Sequence, residues 1–522
     1  MEGDSLRQQQ ACRFDGDESN EVVSYEEEER TEAMVLRRVS YFVVFGGLAW
    51  GLDLGAVSGA LPSLASSFGA SPSEIGFFVS IAAPGEVLGA AVAGTIGDLL
   101  GRRTCIFVCD SAFVSSSILL ATATSLGQLY AGRFVAGFAA GSAIIAQVAW
   151  ASEVAPAKRR GEATAALELA LALGFLLSFG AYALFNESQI LFALPAIPAL
   201  IQLVALFFVP ESPSWLSTRP GRADDANSTL ERVYRQFAKG ASPTKAAKAS
   251  LKKVEVETQE VRQILWSWRV PFYMMIASTF FTFFTGGFNI RLFAVVLFDE
   301  AGASEKEAAR ALVGFGLVKL VTTAAAMRLI DKTGRRTLLL VSLGGMGFCA
   351  FSLSLFYISD VSFYFVLTAL LFYSAFFQLG FGVCNFVLAG ELFPPKLKGR
   401  LAACLKLPTA LFQSSSQFLF ALALERHLVT LFLGHALFCL IGFFLFEAAL
   451  SETKHKDPFR IRSDLSSTTF ANKISAFFLL FFRRGGSLLF LDEAATEEND
   501  PSTPTERRRI INIELVAAPS LV

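Results

Sequence analysis

The sequence predicts an all-α polytopic membrane protein with about twelve spans, and three observations carry that expectation. The 522 residues are 53% hydrophobic with a mean hydropathy of +0.50, against about 45–50% apolar in soluble domains even with Gly counted in. The excess is gathered in charge-poor blocks of roughly 20 residues, the length of a helix that crosses a hydrocarbon core of about 30 Å. Basic residues collect in every second connection between the blocks, the asymmetry of a chain that crosses repeatedly.

Residues 1–37 are polar and acidic ("DGDESNEVVSYEEEER") and are expected to be a disordered cytoplasmic tail. No basic stretch leads into an apolar core there, so a cleavable signal peptide is not expected. Six spans follow near 38–60, 74–99, 104–124, 127–151, 161–185 and 188–209. A polar linker occupies 210–268, and its stretch "TKAAKASLKKVEVETQEVRQIL" is expected to be a surface helix. Six more spans fall near 269–298, 309–330, 337–358, 361–390, 401–424 and 428–450, followed by a tail at 451–522. In that tail "ISAFFLLFF" (474–482) is too short to span; it either lies in the membrane interface or is poorly ordered. Six of the seven cysteines lie in or beside spans, so no disulfide framework is expected. The 52 Phe suit helix faces turned to lipid, and Gly132, Gly137 and Gly141 suit close helix packing.

One set of connections carries Arg102, Arg103, Lys158, Arg159, Arg160, the linker, Lys332, Arg335, Arg336, Lys396, Lys398 and Arg400; the opposite set carries only Lys306 and Arg426. Both termini are therefore expected in the cytoplasm, at the plasma membrane or an internal one. The halves also repeat. "GDLLGRR" (97–103) returns as "IDKTGRR" (330–336), and "EVAPAKRRG" (153–161) returns as "ELFPPKLKG" (391–399). Asp98 and Asp331 accompany the cations Arg102, Arg103, Arg335 and Arg336, while Glu153, Arg160, Glu391 and Lys398 stand at the matching helix ends. Pairing between these acids and guanidinium groups would latch the cytoplasmic face in one conformational state. Positive-inside topology alone accounts for the cations, but not for the acids or their duplication.

These pieces, with "GRFVAGFAAG" (132–141), "VPESPSWL" (209–216), "DKTGRRTLLL" (331–340) and "ELFPPKLKGR" (391–400), resemble the sugar porter branch of the major facilitator superfamily over roughly 40–455. "LSETKHK" (450–456) is similar to the family's Pro-Glu-Thr-Lys-Gly ending, with Ser451 for Pro. The resemblance implies the major facilitator fold, with two pseudo-symmetric six-helix bundles at 38–209 and 269–450. It further implies alternating access, a hexose or polyol as solute, and a place for Glu211 in the cytoplasmic gate.

One acid, Asp53, interrupts the apolar stretch "FGGLAWGLDLGAVSGALP". An ionised Asp at the centre of a lone membrane helix costs about 2.5–3.5 kcal/mol, so it needs a partner. Arg133, at the start of the fourth span, is the expected one. Freed from the cation, a buried carboxylate sheds its charge by binding a proton. The resemblance associates these two positions with proton symport; a structural pair that never titrates is the alternative.

The expected solute site departs from the family pattern. Glu168 stands where sugar porters carry Gln, and Phe283 and Phe284 replace two seventh-span amides, while Asn289 is kept. Lys319 takes an Asn position, Phe386 a Trp position, and the tenth-span prolines are lost, which removes expected hinge points. Arg291 adds another cation, and Glu86 is a second intramembrane acid that pairs or titrates. Glu168 and Lys319 either pair with each other, or Lys319 receives an anionic or zwitterionic solute. The leading expectation is a proton-coupled hexose or polyol transporter working as a monomer in the bilayer. A transporter of small organic acids or amino acids, a passive facilitator and a nutrient sensor stand behind it. With no Walker loop, no metal-ligand cluster and only three His, neither an enzyme, a cofactor, a metal nor a nucleic-acid partner is expected.

Overall fold

The structure, a computed structural model, describes residues 2–467 apart from 157–158, 186, 239–241, 244–246, 248–267, 360, 394–397, 425–426, 455 and 457; it describes 2–26, 331, 386, 390 and 398–403 by their backbone alone. Every regular element among the described residues is helical. Among the described residues ten runs are long and apolar enough to cross a membrane: Glu27–Phe68, Pro72–Leu100, Arg102–Ala121, Leu126–Val154, Arg160–Phe185, Ser188–Ala205, Glu305–Ile330, Arg335–Ile358, Phe363–Ala389 and Leu428–Ala449.

The seventh and eleventh of the expected twelve are helical but atypical. The seventh is broken. Arg269–Phe284 ends before Gly286, whose φ of 84° is left-handed, and the chain resumes as Gly287–Leu292 and Ala294–Glu300. The eleventh is continuous from Lys398 to Leu424, but its polar run "QSSSQ" at 413–417 dilutes its apolar character.

The first helix reaches further back than expected. Its backbone runs Glu2–Phe68, through the acidic segment expected to be disordered, where Glu, Gln and Arg have high helix propensity. From residue 27 the side chains are described, and Val35 and Val39 lie in one buried cluster with Trp150, Val233 and Tyr234. Glu29 pairs with Arg159 at 3.3 Å. The linker supplies Val233 and Tyr234 through the helix Ala223–Phe237, which buries Leu230, Val233, Tyr234 and Phe237, one face at helical spacing. Asp224 and Asp225 in its first turn and Arg235 in its last suit the helix dipole. The surface helix expected over 244–265 lies outside the described residues, Ala247 excepted, as does 474–482.

Packing repeats between the halves. The first span lies along the fifth, and the seventh along the eleventh; across the halves the second meets the eleventh, and the fifth meets the eighth. The cross-half contacts are close. A Cβ on Gly76 would touch Ala421 and Phe418, and one on Gly316 would touch the Leu176 backbone. Ser414 Oγ donates to the Ser80 carbonyl at 3.2 Å, and Gln413 Nε2 to Glu86 at 3.0 Å. Gly76, Ser80, Leu176, Phe418 and Ala421 lie in the parts of their spans remote from the Gly101 and Gly334 loops, while Glu86, Gln413 and Gly316 lie near mid-span, so these contacts join the halves from mid-depth to the opposite face. Gly137 and Gly141 pack against the backbone carbonyls of Ala82 and Glu86, which leave no room for a Cβ.

Candidate functional site

In the N-terminal half, Arg133 Nη1 donates to Asp53 Oδ2 at 2.7 Å, and the two residues are 2% and 3% exposed. Gly47 and Gly51 seat the first span against the backbone of the fifth at Leu167 and Leu171, which holds Asp53 inside the bundle. The fourth span presents Arg133 from the other side, and its Nε has no partner in the structure.

The C-terminal half builds its centre from two interrupted helices. The break at Gly286 frees the Thr285 carbonyl, which accepts the Tyr373 hydroxyl of the tenth span. The tenth span, expected to lose its hinge with its prolines, is interrupted all the same, because Gln378–Gly382 is a π-turn. Such turns recur at functional positions within helices. Arg291, in the short helix after the break, donates from Nη1 to Gln378 Oε1 at 3.1 Å. Its guanidinium lies 4.7 Å from the Phe377 ring centroid, 5.4 Å from that of Phe288 and 6.0 Å from that of Phe175. Lys319, 2% exposed, places Nζ 4.9 Å from the same Phe175 ring. Phe175 belongs to the fifth span, so these cations sit where the halves meet.

Among the described residues, no carboxylate lies within ion-pair distance of Arg291 or Lys319. Glu168 acts on both only at longer range, so the direct Glu168–Lys319 pair is not formed. Asn289 Nδ2 donates to Ser416 Oγ at 2.6 Å, and its Oδ1 is without a partner. Phe283 packs on Phe288 with ring centroids 5.5 Å apart. Phe284 stacks on Phe280 at 4.5 Å and borders Phe412 and Phe438. The two positions held by amides in the resembled family therefore serve an aromatic cluster. The side chain of Phe386 lies outside the described residues.

The duplicated loops form two matching clusters. Arg102 binds Asp98 at 2.9 Å and Glu153 at 2.8 Å, while Glu211 Oε1 accepts the Arg102 backbone N–H at 3.0 Å and Oε2 that of Arg103 at 3.2 Å. Arg335 binds Glu391 at 2.6 Å, and Glu452 accepts the Arg335 and Arg336 N–H groups at 2.9 and 3.1 Å. Each carboxylate thus sits on a helix N-terminus, where backbone donors and the dipole favour an anion. Gly101 and Gly334, at φ 102° and 91°, make the turn, and a Cβ on either would collide with the carboxylate.

These pairs close within each half, and in two respects their members differ from the expected gate residues. Arg160 is exposed and makes no ion pair among the described residues; its neighbour Arg159 does. Glu452 and Glu447, the latter 3.3 Å from Arg336, belong to the cluster although sequence reasoning did not name them. The ending around Ser451 carried the signal for Glu452. Gln378, a single amide in the apolar run "LFYSAFFQLG" (371–380), was missed as well. The side chains of Asp331 and Lys398 lie outside the described residues. No group of three His, Cys, Asp or Glu among the described residues could hold a metal ion.

Two pseudo-symmetric helical bundles with buried charge at their junction define the class: a multi-pass membrane transporter of the major facilitator type. Residues 39–464 match the family model described as "Sugar (and other) transporter", and the chain belongs to that family. It is 29% identical to the galactose-proton symporter of Escherichia coli, over 70% of this chain and 80% of that protein. It is 27% identical to the glucose transporter GlcP of Staphylococcus epidermidis, over 68% and 80%. Its fold is similar to that of the xylose transporter XylE from E. coli in a partially occluded inward-open conformation, with a TM-score of 0.70 and 23% identity over 81% of this chain and 99% of that one.

Proposed function

We propose that this chain is a secondary transporter that carries a hexose or polyol across a membrane together with a proton, by alternating access, and that it works as a monomer. The observation that carries the reading is the buried Asp53–Arg133 pair at 2.7 Å. Closed, the pair is neutral and stable in a low-dielectric site. When rocking of the halves separates the two groups, the buried carboxylate binds a proton to lose its charge. Protonation and conformation are then linked, as symport requires. The relatives' names, a glucose transporter and a galactose-proton symporter, support the solute class and the coupling.

The basic loops and both termini are assigned to the cytoplasm, because the Arg102, Arg159, Arg335 and Arg336 face carries the cations. With those loops in the cytoplasm, contacts between the halves from mid-depth to the opposite face support an inward-facing assignment. The clusters around Glu211 and Glu452 fix each half's loops, and the halves move as preassembled units.

The test is uptake of labelled D-glucose and D-galactose into proteoliposomes, with and without an inward proton gradient. The gradient drives accumulation in the unaltered protein. Asp53→Asn loses accumulation and keeps exchange. Unchanged accumulation in that variant removes Asp53 from the coupling, and the absence of any movement of a sugar, a polyol or a sugar derivative overturns the solute class.

A further inference from the structure

We propose that the junction of the halves is built for a solute bearing a carboxylate, so that the chain carries a sugar acid, a uronate or an aldonate, with Arg291, Lys319 and Gln378 receiving the acid group. The proposal rests on the sugar-transport reading and narrows it.

The first support is charge. Arg291 and Lys319 are 6% and 2% exposed, and Arg291 stays cationic under all ordinary conditions. Among the described residues Glu168, half-buried on the fifth span, is the one carboxylate that acts on both, and it is outside ion-pair distance. One carboxylate faces two basic side chains. Buried charges are otherwise paired, because desolvation is costly. The rings of Phe175, Phe288 and Phe377 offer their negative faces to the cations, which relieves part of that cost but supplies no counter-charge.

The second support is the polarity of the unused hydrogen-bonding groups. Gln378 spends its Oε1 on Arg291 Nη1, and its Nε2 is left without a partner. Arg291 Nε is buried and without a partner too. The unused groups here are donors. A hydroxyl is served best by side chains that both donate and accept, as amides do, whereas a carboxylate only accepts. A guanidinium with Nε free can engage two carboxylate oxygens side by side. The buried Oδ1 of Asn289 and Oε1 of Gln417, both without partners, are acceptors left for hydroxyl groups. Asn289 shares the short helix Gly287–Leu292 with Arg291, so an acceptor for a hydroxyl and a donor-only cation come from one element.

The third support is place. Arg291 follows the seventh-span break, Gln378 opens the tenth-span π-turn, and both cations contact Phe175 of the other half. Repeat-built transporters hold their solute at such interrupted helices between the repeats.

The experiment is exchange in proteoliposomes of the full chain without a proton gradient, so that coupling does not enter. Labelled D-glucuronate, D-gluconate and D-glucose are the probes. One of the acids is expected to exchange, and to compete at concentrations about tenfold or more below those of D-glucose, the scale of one charge-assisted hydrogen bond. Lys319→Asn and Arg291→Gln shift the preference toward D-glucose. D-Glucose exchange that an excess of either acid leaves untouched overturns the proposal while the sugar reading stands. Failure of all three probes to exchange overturns both. The competition in the unaltered protein decides the matter even if a variant fails to fold.

Discussion

At the loops the two halves are nearly copies; at their centres they are opposites. Glu211 accepts the N–H groups of Arg102 and Arg103 as Glu452 accepts those of Arg335 and Arg336, and Glu153 meets Arg102 as Glu391 meets Arg335. The buried charges follow no such symmetry. Asp53 and Arg133 cancel each other in one half, while Arg291 and Lys319 of the other share no close carboxylate. Duplication preserved what each half needs in order to hold its own shape. The proposed roles call for such a difference: coupling needs a pair that can close on itself, and binding needs charge left open for a solute.

That contrast breaks most visibly at the Asp53–Arg133 pair. Asp53→Asn leaves the buried Arg133 guanidinium without its counter-charge, and loss of one partner from a buried pair costs about 3–5 kcal/mol. The melting temperature of the detergent-purified protein should fall further than for Arg133→Leu, whose stranded Asp53 can bind a proton and lose its charge while a guanidinium cannot. Arg133→Leu melting as low as Asp53→Asn or lower would mean that the carboxylate does not take up a proton when freed from its cation.

Next in size is the symmetry of the loops. Gly101→Ala and Gly334→Ala each force a Cβ into a positive-φ turn and against a carboxylate, at about 1–3 kcal/mol each. The two melting curves should shift alike. A shift in one half alone would show that the copies carry unequal load.

The third effect has the opposite sign. Lys319→Met removes an uncompensated buried cation and fills its space with apolar volume, so without solute the protein should melt about 1–2 kcal/mol more stable. A destabilised variant would mean that Lys319 has a structural anion after all.

How far these features were legible depends on what fixes them. Spans, connections and the loop motifs were readable, because lipid demands length and apolarity, and the turns demand Gly, Arg and Glu at set spacing. Asp53 and Arg133 were readable because a membrane leaves a charge few partners. The linker helix Ala223–Phe237 was readable from its apolar spacing and was passed over in favour of a more charged segment. The π-turn was not, since it changes hydrogen-bond register without changing composition. Nor was the fate of Glu168 and Lys319, because ion-pair contact is decided by ångströms between spans that no sequence spacing relates.

The smallest expected effect lies at the rim of the same clusters. Asp98 binds Arg102 with its side chain 79% exposed, and Glu447 binds Arg336 with its side chain 55% exposed. Exposed pairs of this kind contribute about 0.5 kcal/mol and are weakened further by salt. Asp98→Asn and Glu447→Gln should therefore barely move the melting temperature, and less still at high salt. Glu211→Gln and Glu452→Gln should each cost more, because those carboxylates accept backbone donors at a helix N-terminus that has no other cap. If the rim variants proved as damaging as the capping ones, the clusters would owe their strength to net charge rather than to backbone capping, and the likeness of the two halves would be one of charge pattern and not of geometry.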